Sequence, residues 1–238
     1  MHTTVRTLMA LILITCSCFA QAAGTWEPVR KGQGREDVST WVKSVDGMAV
    51  KAFRGVTEVH HSTLAVLALL SGIPNLANWI YQCRSSEQPA GMPGEQTYAR
   101  FKGIWPASDR DVLMVSSVSQ QPDHSVVVDS REMEGYPTQS GFVRMPFLHN
   151  TFRLVPLKGG WTRVEFDTQV DLGGLVPTWL ANLVATNAPL TTLEGMRQQL
   201  QSKPKYQIKS VDTLPAYYLK GAPLVMPPEH MAPEGAAQ

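Results

Sequence analysis

The spacing of apolar residues changes several times along the chain, and each change predicts a different element. Between Trp41 and Val56 apolar and polar residues largely alternate, as in a strand with one buried face. Asp46-Gly47 lies inside this stretch. An Asp-Gly pair there predicts a hairpin joining Trp41–Lys43 to Met48–Phe53, with the second strand running on to Val56 and able to bend at Gly55. Leu64 to Leu70 is apolar nearly all round, which predicts a buried helix with Ser62-Thr63 as its N-cap and Gly72 as its stop. Pro74 suits the first turn of a second short helix through Asn75–Ile80.

Strand patterns then dominate from Glu95 to Val170. The predicted strands are Tyr98–Ile104, Val112–Ser119, Ser125–Glu132, Gly141–Met145, Thr151–Pro156 and Trp161–Val170. Turn clusters such as Gln120–His124 and Lys158–Gly160 separate them, and the short connections favour an antiparallel meander. Helical spacing follows over Pro177–Gln201, carried by Leu180, Leu183, Val184, Leu193, Met196 and Leu200. Pro189 inside that run predicts a kink or a break after Asn187. The sum is an α+β protein in which a long antiparallel sheet buries one face against a C-terminal helix. A curved sheet wrapped around one helix leaves an internal cavity wherever the two do not interdigitate.

The chain has 238 residues, 43% of them apolar and 17% charged, with three cysteines and a formal net charge of +1. That composition supports one sizeable core and gives no reason to expect nucleic-acid binding. The first 22 residues change the totals. Arg6, the apolar run Leu8–Ile14 and Ala20-Gln21-Ala22 form the pattern of a cleaved secretory signal, which implies a periplasmic or secreted protein. A lipoprotein signal using Cys16 or Cys18, and an apolar helix packed on the domain, are the alternatives. Cleavage after Ala22 leaves 216 residues, a single cysteine (Cys83) and no net charge. A lone cysteine forms no internal disulfide, and Cys83 reads as a half-buried small apolar residue. The folded domain is expected over residues 25–220. Residues 221–238, rich in Pro and Ala, read as a disordered tail.

Two segments resemble the START family, the steroidogenic-acute-regulatory-protein-related lipid-transfer domains. Ile104-Trp105-Pro106-Ala107-Ser108-Asp109-Arg110-Asp111 is similar to the family's aromatic-Pro-x-x-x-Arg-Asp element. Asp171-Leu172-Gly173-Gly174-Leu175-Val176-Pro177-Thr178-Trp179-Leu180-Ala181-Asn182 resembles its approach to the C-terminal helix. Phe53-Arg54-Gly55, Trp79, Ala188-Pro189-Leu190 and Leu193–Arg197 continue the match in order. The resemblance implies a helix-grip, START/Bet v 1-like fold and a lipid or sterol held in a tunnel between sheet and helix. The physics of these segments stands beside the name. Gly173-Gly174 permits a sharp turn, Pro177 suits a first helical turn, and Trp179 is expected to anchor the helix base by burial. Arg110, Asp111 and Asp171 read first as turn-fixing residues, with ligand contact as the alternative for Arg110 and Asp111. Leu76 and Ser116 stand where several phospholipid- and sterol-binding relatives carry arginine. Their presence implies a neutral or weakly polar ligand.

Alternation nominates the cavity wall. Met114, Ser116 and Val118 share one face of their strand, and Val164, Phe166 and Thr168 share one face of the last strand. Leu180, Leu183, Val184 and Asn187 are the facing helix candidates. Ser116, Thr168 and Asn187 could bond a lone hydroxyl, and Arg144 and Arg100 are the candidates for a polar end. The competing reading is that all of these pack a filled core. No nucleophile, phosphate-loop or dinucleotide motif is present, so no catalytic residue, metal or cofactor is expected. His60-His61 would point to opposite faces, and His124 and His149 are read in surface turns. The expected role is binding, and transfer, of a hydrophobic ligand by a monomer with transient membrane contact. The alternatives are a cyclase- or hydrolase-like helix-grip enzyme and a module that binds a partner without a ligand.

Overall fold

The computed structural model describes residues 24–203, 206, 214–220 and 223–231. The proposed signal therefore lies outside the described residues. Ten strands form one sheet: β1 (Glu27–Arg30), β2 (Ser39–Lys43), β3 (Ala52–Val59), β4 (Cys83–Glu87), β5 (Gln96–Phe101), β6 (Asp109–Gln120), β7 (Val126–Glu132), β8 (Phe142–Arg144), β9 (Phe147–Pro156) and β10 (Thr162–Asp171). Their order is β1-β2-β3-β10-β9-β7-β6-β5-β4. Every neighbour on that path is antiparallel, and β8 lies off it, parallel to β6. The expected antiparallel meander holds for β5, β6, β7, β9 and β10, and β8 alone departs from it. The chain runs from β7 through β8 and then sets β9 beside β7.

Helix α1 (Thr63–Leu70) begins as expected, with the Ser62 side chain accepting from the Ala65 N–H. Its residues 63–67 and 69 are buried, so it is a core helix. A 3-10 turn, Ile73–Asn78, takes the place of the second helix. The Asp46-Gly47 turn exists, with Gly47 at φ +76°, but β2 and β3 pair only from Lys43 and Ala52 onward. Met48–Lys51 belongs to the connection.

Helix α2 (Thr178–Ser202) runs unbroken through Pro189, against the expectation of a break. The reason lies across the interface. Gly55 of β3 sits under the helix, and a Cβ there would be 2.7 Å from Leu193 Cδ1 and 3.1 Å from Pro189 Cβ. The bare backbone at Gly55 accepts the proline ring against the sheet, and that packing offsets the hydrogen bond the proline cannot donate. The pairing of β3 runs through Gly55 to Val59 without a shift in register.

Residues 223–231 depart from the disordered tail expected there. Leu224 is buried, and Gln120 exchanges two hydrogen bonds with Val225, through its Nε2 to the carbonyl and its Oε1 from the N–H, each 2.8 Å. In the short helix α3 (Pro228–Met231), His230 is buried. Its Nε2 accepts from the Thr63 N–H at 3.1 Å, so Nδ1 carries the hydrogen and donates to the Leu157 carbonyl at 2.7 Å. One imidazole satisfies two backbone groups, at the start of α1 and in the turn between β9 and β10, which fixes α3 there.

Candidate functional site

A cavity lies between the inner face of the sheet and α2, with about 1000 Å³ of non-atom space when its open mouth is included. The space is lined mainly by apolar side chains of the sheet and of α2. Three phenylalanines make much of the apolar floor. Phe166 stacks on Phe152 at 4.4 Å between centroids and meets Phe53 edge-on at 6.0 Å. Phe152 and Phe166 are direct cross-strand partners on β9 and β10, which accounts for their stacking. Leu180, Val184, Ala188 and Thr192 close the cavity from the helix side, one helical turn apart.

The expected wall residues divide by depth. Met114, Phe166, Thr168, Leu180 and Val184 line the cavity. Ser116, Val118, Val164, Leu183 and Asn187 do not. Val164 is fully buried in the core two residues beyond Phe166, past the level at which Gly55 meets Leu193 and Pro189. Ser116 bonds Ser130 Oγ at 2.8 Å. Alternation identified the inward face correctly, but it carries no information on where along that face the helix closes down on the sheet.

Arg144 and Arg100 are not the polar end. Arg144 donates to both oxygens of Asp111, at 2.8 and 3.0 Å, and to the carbonyls of Tyr136 and Pro137. Arg100 bonds Ser85 and Glu87 near the sheet edge. Burial pushes the Asp111 carboxyl up, but hydrogen bonds from Arg144 and Tyr98 outweigh it and hold it below the usual carboxylate range. Burial, reinforced by Asp111, pushes the Tyr98 hydroxyl up to about 12. Asp111 is therefore structural, as is Asp171, whose Oδ1 accepts from the Gly173 N–H at 2.9 Å.

The polar groups that do reach the cavity are few. Thr168 Oγ1 donates to Asn150 Oδ1 at 2.9 Å, one layer below the mouth. Thr192 Oγ1 accepts from the Tyr81 N–H at 3.1 Å. Cys83 lies in the wall, and burial pushes its thiol up to about 11. Asn150 and Tyr81–Cys83 were not identified by sequence. Asn150 shares a face with Phe152, and extending the period of β9 two residues toward its start would have found it. Tyr81–Cys83 carried no such signal, because that stretch mixes polar and apolar residues without a period.

Two loops frame the mouth: residues 102–108, between β5 and β6, and residues 172–177, between β10 and α2. Lys102, Gly103, Ile104, Ala107 and Leu172 from these loops line the opening. Gly173 and Gly174 turn the second loop at φ +66° and +65°. Arg110 ties the loops together, donating to the carbonyls of Ser108, Leu172 and Gly173. The same loops carry apolar side chains in solvent, Trp105 at 86% exposure and Leu175 at 99%. Trp179, expected to anchor the helix base by burial, is instead 54% exposed beside them. Among the expected surface histidines, His149 is not in a turn. It lies on β9, and its Nε2 is 2.6 Å from Asp129 Oδ2. Among the described residues no cluster of His, Cys, Asp and Glu is placed to hold a metal, and no helix is long and apolar enough to cross a membrane.

The START domain family model matches residues 18–205. An uncharacterized protein of Pseudomonas aeruginosa, PA1579, is 26% identical over 201 residues, covering 83% of this chain and all of the relative. The STAR-related lipid transfer protein of Xanthomonas axonopodis (fragment 25–204) superposes with a TM-score of 0.66 at 23% identity, covering 74% of this chain and 99% of its own. Human StAR-related lipid transfer protein 5 gives 0.65 at 17% identity, covering 74% and 86%. These two structures share the helix-grip architecture. With four-fifths of its length matched by the family model, this chain belongs to the START domain family.

Proposed function

We propose that this protein binds a hydrophobic ligand, a lipid or sterol, in the cavity between sheet and helix and carries it outside the cytoplasm. The observation that carries this reading is the cavity itself: its wall is predominantly apolar, and its polar side chains are confined to a few positions. Such a site gains affinity from burial of apolar ligand surface and orientation from the few polar groups. The exposed Trp105, Leu175 and Trp179 at the mouth suit contact with a bilayer, where apolar side chains and indole rings partition favourably. With no net charge after cleavage, bulk attraction to anionic lipid contributes little, and this apolar rim carries the encounter. The pattern of residues 1–22 supports export to the periplasm or beyond.

The test is lipid extraction from protein purified from its native host, followed by mass spectrometry. Near-stoichiometric lipid is expected. Met114→Arg or Phe166→Arg places an unpaired charge in the apolar wall and abolishes loading in protein that still unfolds cooperatively. Full loading in either folded variant, or no lipid in the unaltered protein, overturns the reading.

A further inference from the structure

The inner face of β6 ends, at the mouth, in a cation. Arg110 shares the face of Val112 and Met114, lies among the cavity-lining residues and is only 6% exposed. A guanidinium buried to that extent is ordinarily matched by a carboxylate. Here all three of its protein acceptors are neutral carbonyls, those of Ser108, Leu172 and Gly173. A guanidinium has five N–H donors, so two have no acceptor among the described residues.

The carboxylates nearby are engaged elsewhere. Asp109 accepts from Arg84 and the Gly103 N–H, each at 2.9 Å. Asp111 faces the other side of the sheet and takes Arg144 and Tyr98. Asp171 accepts from the Gly173 N–H. Burial lowers the proton affinity of Arg110, opposed only by the charge of Asp109. The second cation at the mouth, Lys102, is also among the lining residues, and its charge acts on Asp109. The opening thus holds two cations, one of them desolvated, while the deeper wall is apolar.

We propose that the ligand is an amphipathic acid, whose apolar body fills the cavity and whose carboxylate or phosphate monoester sits at the mouth against Arg110. This rests on the carrier reading above and revises the expectation of a neutral ligand. With no arginine at positions 76 and 116, Arg110 at the end of the strand is the arginine among the cavity-lining residues. Removal of a single charge-assisted contact of this kind weakens binding by about 10- to 100-fold.

The experiment compares three probes of equal chain, oleate, oleyl phosphate and oleyl alcohol, titrated at pH 8 into delipidated full-length protein. Oleate or oleyl phosphate is expected to bind at least about 10-fold more tightly than the alcohol, and the stronger of the two identifies the acidic group. The unaltered protein decides the matter without a variant. Arg110→Gln then brings the acid-to-alcohol ratio toward one, whereas a purely loop-tying role lowers all three affinities together and leaves the ratio intact. Equal affinities for all three probes in the unaltered protein overturn the acidic ligand and leave the carrier reading standing. Failure of all three to bind also overturns the acidic ligand, and the carrier reading is then decided by the lipid extracted from the native protein.

Discussion

Asp111 shows how one residue converts a sequence motif into structure. It follows Arg110 in the chain, yet the two side chains leave β6 on opposite faces, so the Arg-Asp pair is not an ion pair. Asp111 is buried, and Arg144 is its bidentate partner from β8. Arg144→Ala removes the partner and leaves a buried carboxylate, a change that costs about 3 kcal/mol in comparable pairs. Urea unfolding is expected to show that loss, with the Tyr98 hydroxyl at 2.6 Å retaining part of the stabilisation. The sign with pH follows from the depressed carboxyl. Its contribution is complete above the unfolded-state value near 4 and is lost as pH falls through the lower folded value. The stability of Asp111→Asn is therefore expected to fall less steeply on acidification than that of the unaltered protein. Parallel acid limbs for the two proteins would contradict the assignment.

Helix α2 is placed on the sheet by its own contacts with β3 and by a second close approach at Gly195. A Cβ at Gly195 would be 2.7 Å from the Trp79 carbonyl oxygen, so the helix also lies tightly against the 3-10 turn. Between Gly55 and the mouth the helix stands off from the sheet, and that gap is the cavity. Gly55→Val drives a branched side chain into Leu193 and Pro189 and is expected to cost about 1–3 kcal/mol by overpacking. Calorimetry is the measurement, and an unchanged melting temperature would show that α2 does not rest on Gly55. The Ser62 cap, the helical run and most strands between residues 95 and 171 were legible because each depends on neighbours in sequence, whereas β1 and β4 carried no pattern that marked them. The continuity of α2 through Pro189 was not, because the glycine that admits the proline is more than a hundred residues away.

For the whole molecule, the two mouth loops carry both the opening and the exposed apolar rim. Trp105→Ser combined with Leu175→Ser leaves the core untouched, since both side chains are almost wholly in solvent. The double variant is expected to retain its melting temperature and bound lipid while its transfer of lipid between neutral phosphatidylcholine vesicles slows by about tenfold or more, given roughly 1.5–3 kcal/mol for each large apolar side chain removed from a bilayer contact. Unchanged transfer would place the membrane contact elsewhere. The sequence by itself determined the two α-helices α1 and α2, most of the strands between residues 95 and 171, the inward face of β6 and β10, and the resemblance to the family, because periodicity, capping and motif order are local properties of the chain. Tertiary structure alone decided how deep the cavity runs and which charges face it. Arg110 and Arg144 have the same chemistry in sequence. One became a desolvated cation at the mouth and the other the partner of a buried carboxylate, because strand pairing sets which side of the sheet each side chain leaves and which groups it meets there.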